Sequence, residues 1–199
     1  MTVQDATARR GIVTTEADDR QRLEFHRSWP DPVEDVWSAL TEPDRMARWI
    51  GTYDGERTPG GTGTFTMTAE QEPVGEAMTV VECDPPRRLV VSWVGQDDWT
   101  VELDLWSEHG RTVLRFRQVF AADADVADFA AGWHWYLDKL DAEVGGRPAP
   151  GAWDAFAADV AAPGHRVLHG HGVSPLLRAR RPRAISVSSA SNRWAHRSR

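Results

Sequence analysis

The chain has one cysteine, one lysine, two tyrosines and no apolar run longer than a few residues. Each scarcity closes off a class of protein. With Cys83 alone, no disulfide can form within the chain, and a zinc site, which needs three or four converging ligands, has no cysteine cluster to start from. Runs such as Leu89-Val90-Val91 fall far short of the roughly 20 apolar residues a membrane-spanning helix needs. The opening residues, MTVQDATARRG, hold no apolar stretch, so a secretory leader is not expected; the lone thiol fits a cytoplasmic setting. Acids are missing from one region: residues 160–199 carry eight arginines and no acid, whereas residues 1–159 carry all 30 acids and the other 15 bases. The balances of +8 and −15 sum to the net −7. An acidic body disfavours nucleic acid, and the tail lacks the interleaved aromatics that would read bases.

What the sequence does have is tryptophan, ten in 199 residues. Each buried indole removes about 150–250 Å² from water. So many of them require either a bulky core or an aromatic-lined cavity, and the length suits one domain with a full core.

The hydrophobic pattern orders the elements. Residues 12–16 and 20–29 read as a strand pair turning at Asp18-Asp19, with Leu23, Phe25, Arg27 and Trp29 on one face. A helix follows, with Asp31 as its cap, Pro32 in its first turn and an apolar stripe of Val33, Val36, Trp37 and Leu40. A second short helix, 43–50, groups Met46, Trp49 and Ile50 and is stopped by Gly51. Strands are predicted near 54–58, 63–69, 74–83, 87–95, 98–107 and 111–120, the last two as a hairpin. A long helix over 125–144 carries the stripe Phe129, Trp133, Tyr136, Leu137, Leu140 and Val144. A short helix at 151–161 presents Trp153, Phe156 and Val160. Beyond Pro163 there is no period and no acid. The expected organisation is a flexible N-terminus over 1–10, one domain over 11–162, and a disordered arginine-rich tail over 163–199.

Two strings carry a family resemblance: FHRSWPDPVEDVWSALTEPDRMARWI at 25–50 and GWHWYLDKLDAEVGG at 132–146. On these the chain resembles the START-like, or helix-grip, superfamily of polyketide cyclases and lipid-transport proteins. More narrowly it is similar to bacterial proteins related to the C-terminal domain of the activator of Hsp90 ATPase. The resemblance implies an α+β helix-grip fold, with two short helices after the opening strands. A curved antiparallel sheet would wrap around the long C-terminal helix, with an interior cavity between them. It implies no shared catalytic set.

At 100° per residue, Trp133 and Trp135 point about 200° apart on the helix. Trp133 belongs to the sheet-facing stripe, and Trp135 needs separate cover from Trp153 or Phe156. His134, Asp138 and Asp141 fall together on the polar side, which predicts a surface histidine beside a carboxylate. His169-Gly170-His171 reads as incidental rather than as a metal site, PGGTGTF as a hairpin turn, and Glu70, Glu72 and Glu76 as a solvated rim. Cys83 reads as packed, and no nucleophile signature is present.

The candidates for the cavity wall are Trp49, Phe65, Met67, Trp93, Trp99, Leu103, Phe116, Gln118, Phe129, Trp133 and Leu137, with Gln118 or Tyr53 orienting a ligand. No catalytic residue, metal or cofactor is predicted. The expected partner is a small hydrophobic or aromatic molecule, bound by a monomer or homodimer. One alternative is a co-chaperone-like module that binds and stimulates an Hsp90-type ATPase. The other is a cyclase- or hydrolase-like enzyme using the same cavity, which would need an inward-facing carboxylate or histidine.

Overall fold

A computed structural model describes residues 10–70, 72–94, 99–160 and 168–169. The opening alternation becomes strands β1 (Ile12–Thr15) and β2 (Gln21–Trp29), joined by a turn in which Asp19 takes a φ of 65°. Helices α1 (Val33–Thr41) and α2 (Pro43–Trp49) follow. Then come β3 (Gly51–Gly55), β4 (Thr62–Met67), β5 (Gly75–Asp84), β6 (Arg88–Trp93), β7 (Thr100–Glu108) and β8 (Arg111–Phe120). The long helix is α3 (Val126–Gly145), and α4 (Trp153–Val160) comes after it.

The strands form one sheet in the order β3-β4-β5-β6-β7-β8-β2-β1-β9, with β9 being Leu168–His169. Every pairing is antiparallel except the two-residue parallel contact of β9 with β1. This pairing falls inside the segment expected to be without structure. The rest of that expectation, His171 included, lies outside the described residues, as do residues 1–9 of the expected flexible N-terminus.

Period-two alternation sets the two faces of the sheet. In β8, Thr112, Leu114, Phe116, Gln118 and Phe120 are buried, while the residues between them are not. The outward row of the central strands is charged: Arg88 pairs with Glu82, Glu102 and Asp104, Arg115 with Asp104, and Arg117 with Glu102 and Asp104. The inward row packs on α3, ten of whose 20 residues are buried. Ion pairs fix the helices on that side. Arg45 of α2 meets Asp35 of α1 at 2.8 Å and Glu143 of α3 at 3.0 Å. The indole N–H of Trp49 donates to the Ala39 carbonyl at 2.9 Å and so ties α2 to α1.

Some local expectations give way to packing. Asp31 does not cap α1: the N-cap is Pro32, with no side-chain cap bond, and the Asp31 carbonyl instead accepts the Thr112 hydroxyl at 2.6 Å. α2 ends at its C-cap Ile50, with Gly51 directly after it, as the sequence predicts. Gly51 opens β3, because a Cβ there would lie 2.0 Å from the Thr66 carbonyl oxygen. β3 thus starts earlier than the predicted 54–58. At the end of α3, Gly146 takes the left-handed conformation and its N–H returns to Ala142, as the Gly-Gly pair predicts.

Candidate functional site

Between the inward row and α3 lies a cavity of about 70 Å³. Its wall draws on eight elements and the α2 C-cap. The helices supply Leu40, Met46, Trp49, Ile50, Trp133 and Leu137; the strands supply Phe65, Met78, Leu89, Val91, Trp93, Val101, Leu103 and Phe116. None of these side chains is titratable. The indole N–H of Trp49 is occupied by Ala39, and that of Trp133 donates to Gln118 Oε1 at 2.7 Å. A lining of this kind offers nothing to hold water and nothing to move a proton. It excludes solvent and accepts apolar surface.

Of the predicted wall residues, seven converge on the cavity: Trp49, Phe65, Trp93, Leu103, Phe116, Trp133 and Leu137. Four do not line it. Met67 ends β4 opposite Gly51 and packs half-buried at the margin of the core. Trp99 stands edge-on to Trp93 at 5.5 Å and to Phe129 at 5.7 Å, and Phe129 stacks on Phe120 at 4.9 Å. Trp99 and Phe129 thus continue an aromatic row away from the wall instead of joining it. Gln118 is 1% exposed and sits behind Trp133, as its hydrogen-bond partner. Tyr53 is not available to orient a ligand, because its hydroxyl donates to the Glu56 carbonyl at 2.9 Å; burial pushes its pKa up. Two wall residues the sequence did not single out, Val91 and Val101, share strand parity with the chosen Trp93 and Leu103, whereas Met78 comes from β5, a strand with no chosen neighbour.

The other flanks of α3 are more polar and more enclosed than expected. Trp135 meets Trp153 edge-on at 5.8 Å and donates its N–H to the Gly151 carbonyl at 3.0 Å, so α4 does supply its cover. His134 is half-buried: the rings of Phe25 at 6.3 Å and Phe156 at 5.4 Å pack beside it, and Asp138 lies 3.5 Å away, the carboxylate neighbour the spacing predicts. Asp141, also placed on a polar side, is 5% exposed. Its partner is Arg27 of β2, itself 2% exposed, at 3.4 Å, and Arg27 also reaches Asp138 at 3.1 Å. Glu70 is not on a solvated rim. Half-buried, it accepts the Tyr136 hydroxyl at 2.5 Å. Burial and that carboxylate together push the Tyr136 phenol far above its usual range. Lys139 lies 4.6 Å over the Trp135 ring, and burial lowers its pKa, an effect Glu70 partly offsets. None of these groups belongs to the cavity wall. Cys83 is half-buried against the core, and burial raises its thiol pKa. Among the described residues, no three His, Cys, Asp or Glu side chains are placed to hold a metal, and no helix is long and apolar enough to cross a membrane.

Residues 30–145 match the family described as Activator of Hsp90 ATPase homolog 1-like protein. No curated protein matches. Solved structures with the same fold include CalU16 from Micromonospora echinospora, at 27% identity and a TM-score of 0.55, covering 76% of this chain and 96% of that one. A protein from Bordetella parapertussis matches at 27% identity and a TM-score of 0.60, covering 75% and 90%. The Aha1 dimer from Colwellia psychrerythraea shares the fold at 20% identity and a TM-score of 0.53, covering 64% and 98%.

Proposed function

Because the chain belongs to the family of Activator of Hsp90 ATPase homolog 1-like proteins, a helix-grip family with an interior between sheet and helix, we propose that it binds a small, neutral, apolar molecule in that interior. The carrying observation is the wall, which sets Phe65, Trp93 and Phe116 of the sheet against Trp133 and Leu137 and contains no titratable side chain. Burial of apolar surface, at about 25 cal/mol per Å², supplies the affinity. Size limits the class. An apolar cavity of about 150 Å³ holds benzene, so about 70 Å³ takes a smaller molecule unless the rings shift. At a ceiling of about 1.5 kcal/mol per heavy atom, such a ligand binds in the micromolar range at best.

Xenon, which occupies dry apolar cavities, is the first probe. Xenon dissolved in the protein solution should shift the methyl resonances of Leu103, Leu137 and Met78, and Val91→Phe, which fills the space, should abolish the shifts. Unchanged methyl resonances in the wild-type protein would sink the proposal. A second reading, an interaction module for an Hsp90-type ATPase, is supported by the family match alone. It predicts that the protein raises the ATPase rate of its host's Hsp90 homologue, whether or not the cavity is filled.

A further inference from the structure

Of the chain's 23 lysines and arginines, only Lys139 is a lysine. Arg27, Arg45, Arg88 and Arg117 each grip carboxylates. A guanidinium does not give up its proton in a protein, so these arginines are fixed charges, whereas an amine freed of its proton is a nucleophile. The one amine side chain is also placed differently. Lys139 follows Trp135 by four residues and Tyr136 by three, so helical spacing lays its ammonium over both rings, 4.6 Å and 5.6 Å from their centroids. The rings are pinned. Trp135 stands edge-on to Tyr136 and Trp153 and donates its N–H to the Gly151 carbonyl, and the Tyr136 hydroxyl donates to Glu70. Lys139 is half-buried, and its ammonium makes no hydrogen bond among the described residues. The rings cover it on one side and solvent meets it on the other.

We propose that Lys139 captures small neutral aldehydes as a protonated imine, held against Trp135 and Tyr136. Burial lowers the pKa of the amine, against the opposing effect of Glu70, and so frees part of it for attack. The ammonium releases one proton to water, and the nitrogen lone pair forms a bond to the carbonyl carbon. A proton moves from nitrogen to the former carbonyl oxygen, giving a carbinolamine. A second proton, taken from water, lets that hydroxyl leave as water, and the C=N bond that remains carries the positive charge. Nothing is oxidised or reduced, and the charge at the site is the same before and after. The surroundings favour this product. An ammonium has three N–H groups to hydrate and the imine cation has one, so lying against two ring faces penalises the product less, while both rings still attract it. Acylation, by contrast, would remove the charge, forfeit the attraction of the rings and leave Glu70 without a cation nearby. Aldehydes bearing a carboxylate are disfavoured by Glu70. The site uses no residue of the cavity wall, so it stands or falls apart from the apolar-ligand reading.

The test traps the imine by reduction. The full-length protein and an equal amount of Nα-acetyl-lysine amide share one tube at neutral pH with acetaldehyde and cyanoborohydride. Peptide mapping by mass spectrometry follows ethylation of Lys139 apart from that of the chain's α-amine. Lys139 should be ethylated about fivefold faster than the free lysine amide, the order that ring contact supplies to a half-buried cation. In urea-unfolded protein the advantage should vanish, because the rings no longer face the amine. A native rate equal to or below that of the free amide overturns the proposal. So does an advantage that survives unfolding, since it would then belong to the local sequence and not to the folded arrangement. The wild-type protein alone decides both outcomes, and neither bears on xenon in the cavity.

Discussion

Two interior regions flank the same helix and are built on opposite principles. On one side of α3, Trp133 and Leu137 face an apolar space left partly unfilled. On another, Arg27, at 2% exposure, is held by Asp138 and Asp141, with the Phe25 ring 5.7 Å from its guanidinium carbon. The first region is underpacked and electrically silent. The second is packed and charged, and each member depends on the others. Space can be gained or lost in the apolar region at the cost of contacts alone, whereas a charge cannot leave the ionic one without stranding its partners. A ligand site is therefore cheap to keep open on the Trp133 side and prohibitive on the Arg27 side.

Substitutions can break this contrast. The largest effect is expected from Arg27→Met, which strands two carboxylates and should lower stability by about 3–5 kcal/mol in urea unfolding. Adding Asp138→Asn and Asp141→Asn should recover part of the loss, since the stranded charges go with them. If the triple variant is no more stable than the single one, the ionic account is wrong. Leu137→Ala comes next. It removes a 1% exposed wall residue, so about 2–3 kcal/mol should be lost. Unlike the arginine change, it should create a function, by admitting benzene to the enlarged space, as read by methyl shifts.

The smallest effects belong to the outer face of the sheet. Burial alone would raise the Asp104 carboxyl, but hydrogen bonds from Arg88 and Arg115 outweigh it and hold the pKa below the usual value. The Glu24 carboxyl is lowered chiefly by its 2.6 Å contact with His26. A carboxyl depressed in the folded state contributes stability above its unfolded pKa of about 4, and that contribution fades as pH falls through the depressed value. Asp104→Asn should therefore cost about 1 kcal/mol or less at neutral pH and flatten the decline in urea midpoint below about pH 4. An unchanged acid limb would show that the outer pairs are energetically idle.

Much of this contrast could be read before any coordinates. Strand parity placed Arg27 inward with Leu23, Phe25 and Trp29, and helical periodicity placed Trp133 and Leu137 toward the sheet. What parity cannot supply is the partner. Asp138 lies 111 residues from Arg27, and a helical wheel reads any acid outside the apolar stripe as solvated. The wheel also treats one face as buried, whereas α3 is enclosed by the sheet, α1, α2 and α4, which is why Asp141 was misplaced and His134 is less exposed than predicted. Seven wall residues were legible because bulky inward positions must meet near the axis of a curved sheet. Trp99 and Phe129 were overcounted for the same reason, since composition cannot say where along the sheet an aromatic row leaves the cavity.

The strand order also has a bearing on synthesis. β2 lies beside β8, and its first residue, Gln21, pairs with Phe120, about a hundred residues later. While the ribosome works through the intervening strands, Leu23, Phe25 and Trp29 have no sheet neighbour but the four-residue β1. Pairing of β2 with β8 is thus a late, long-range event, of the kind that slows folding and leaves greasy edges open to chaperones in the meantime.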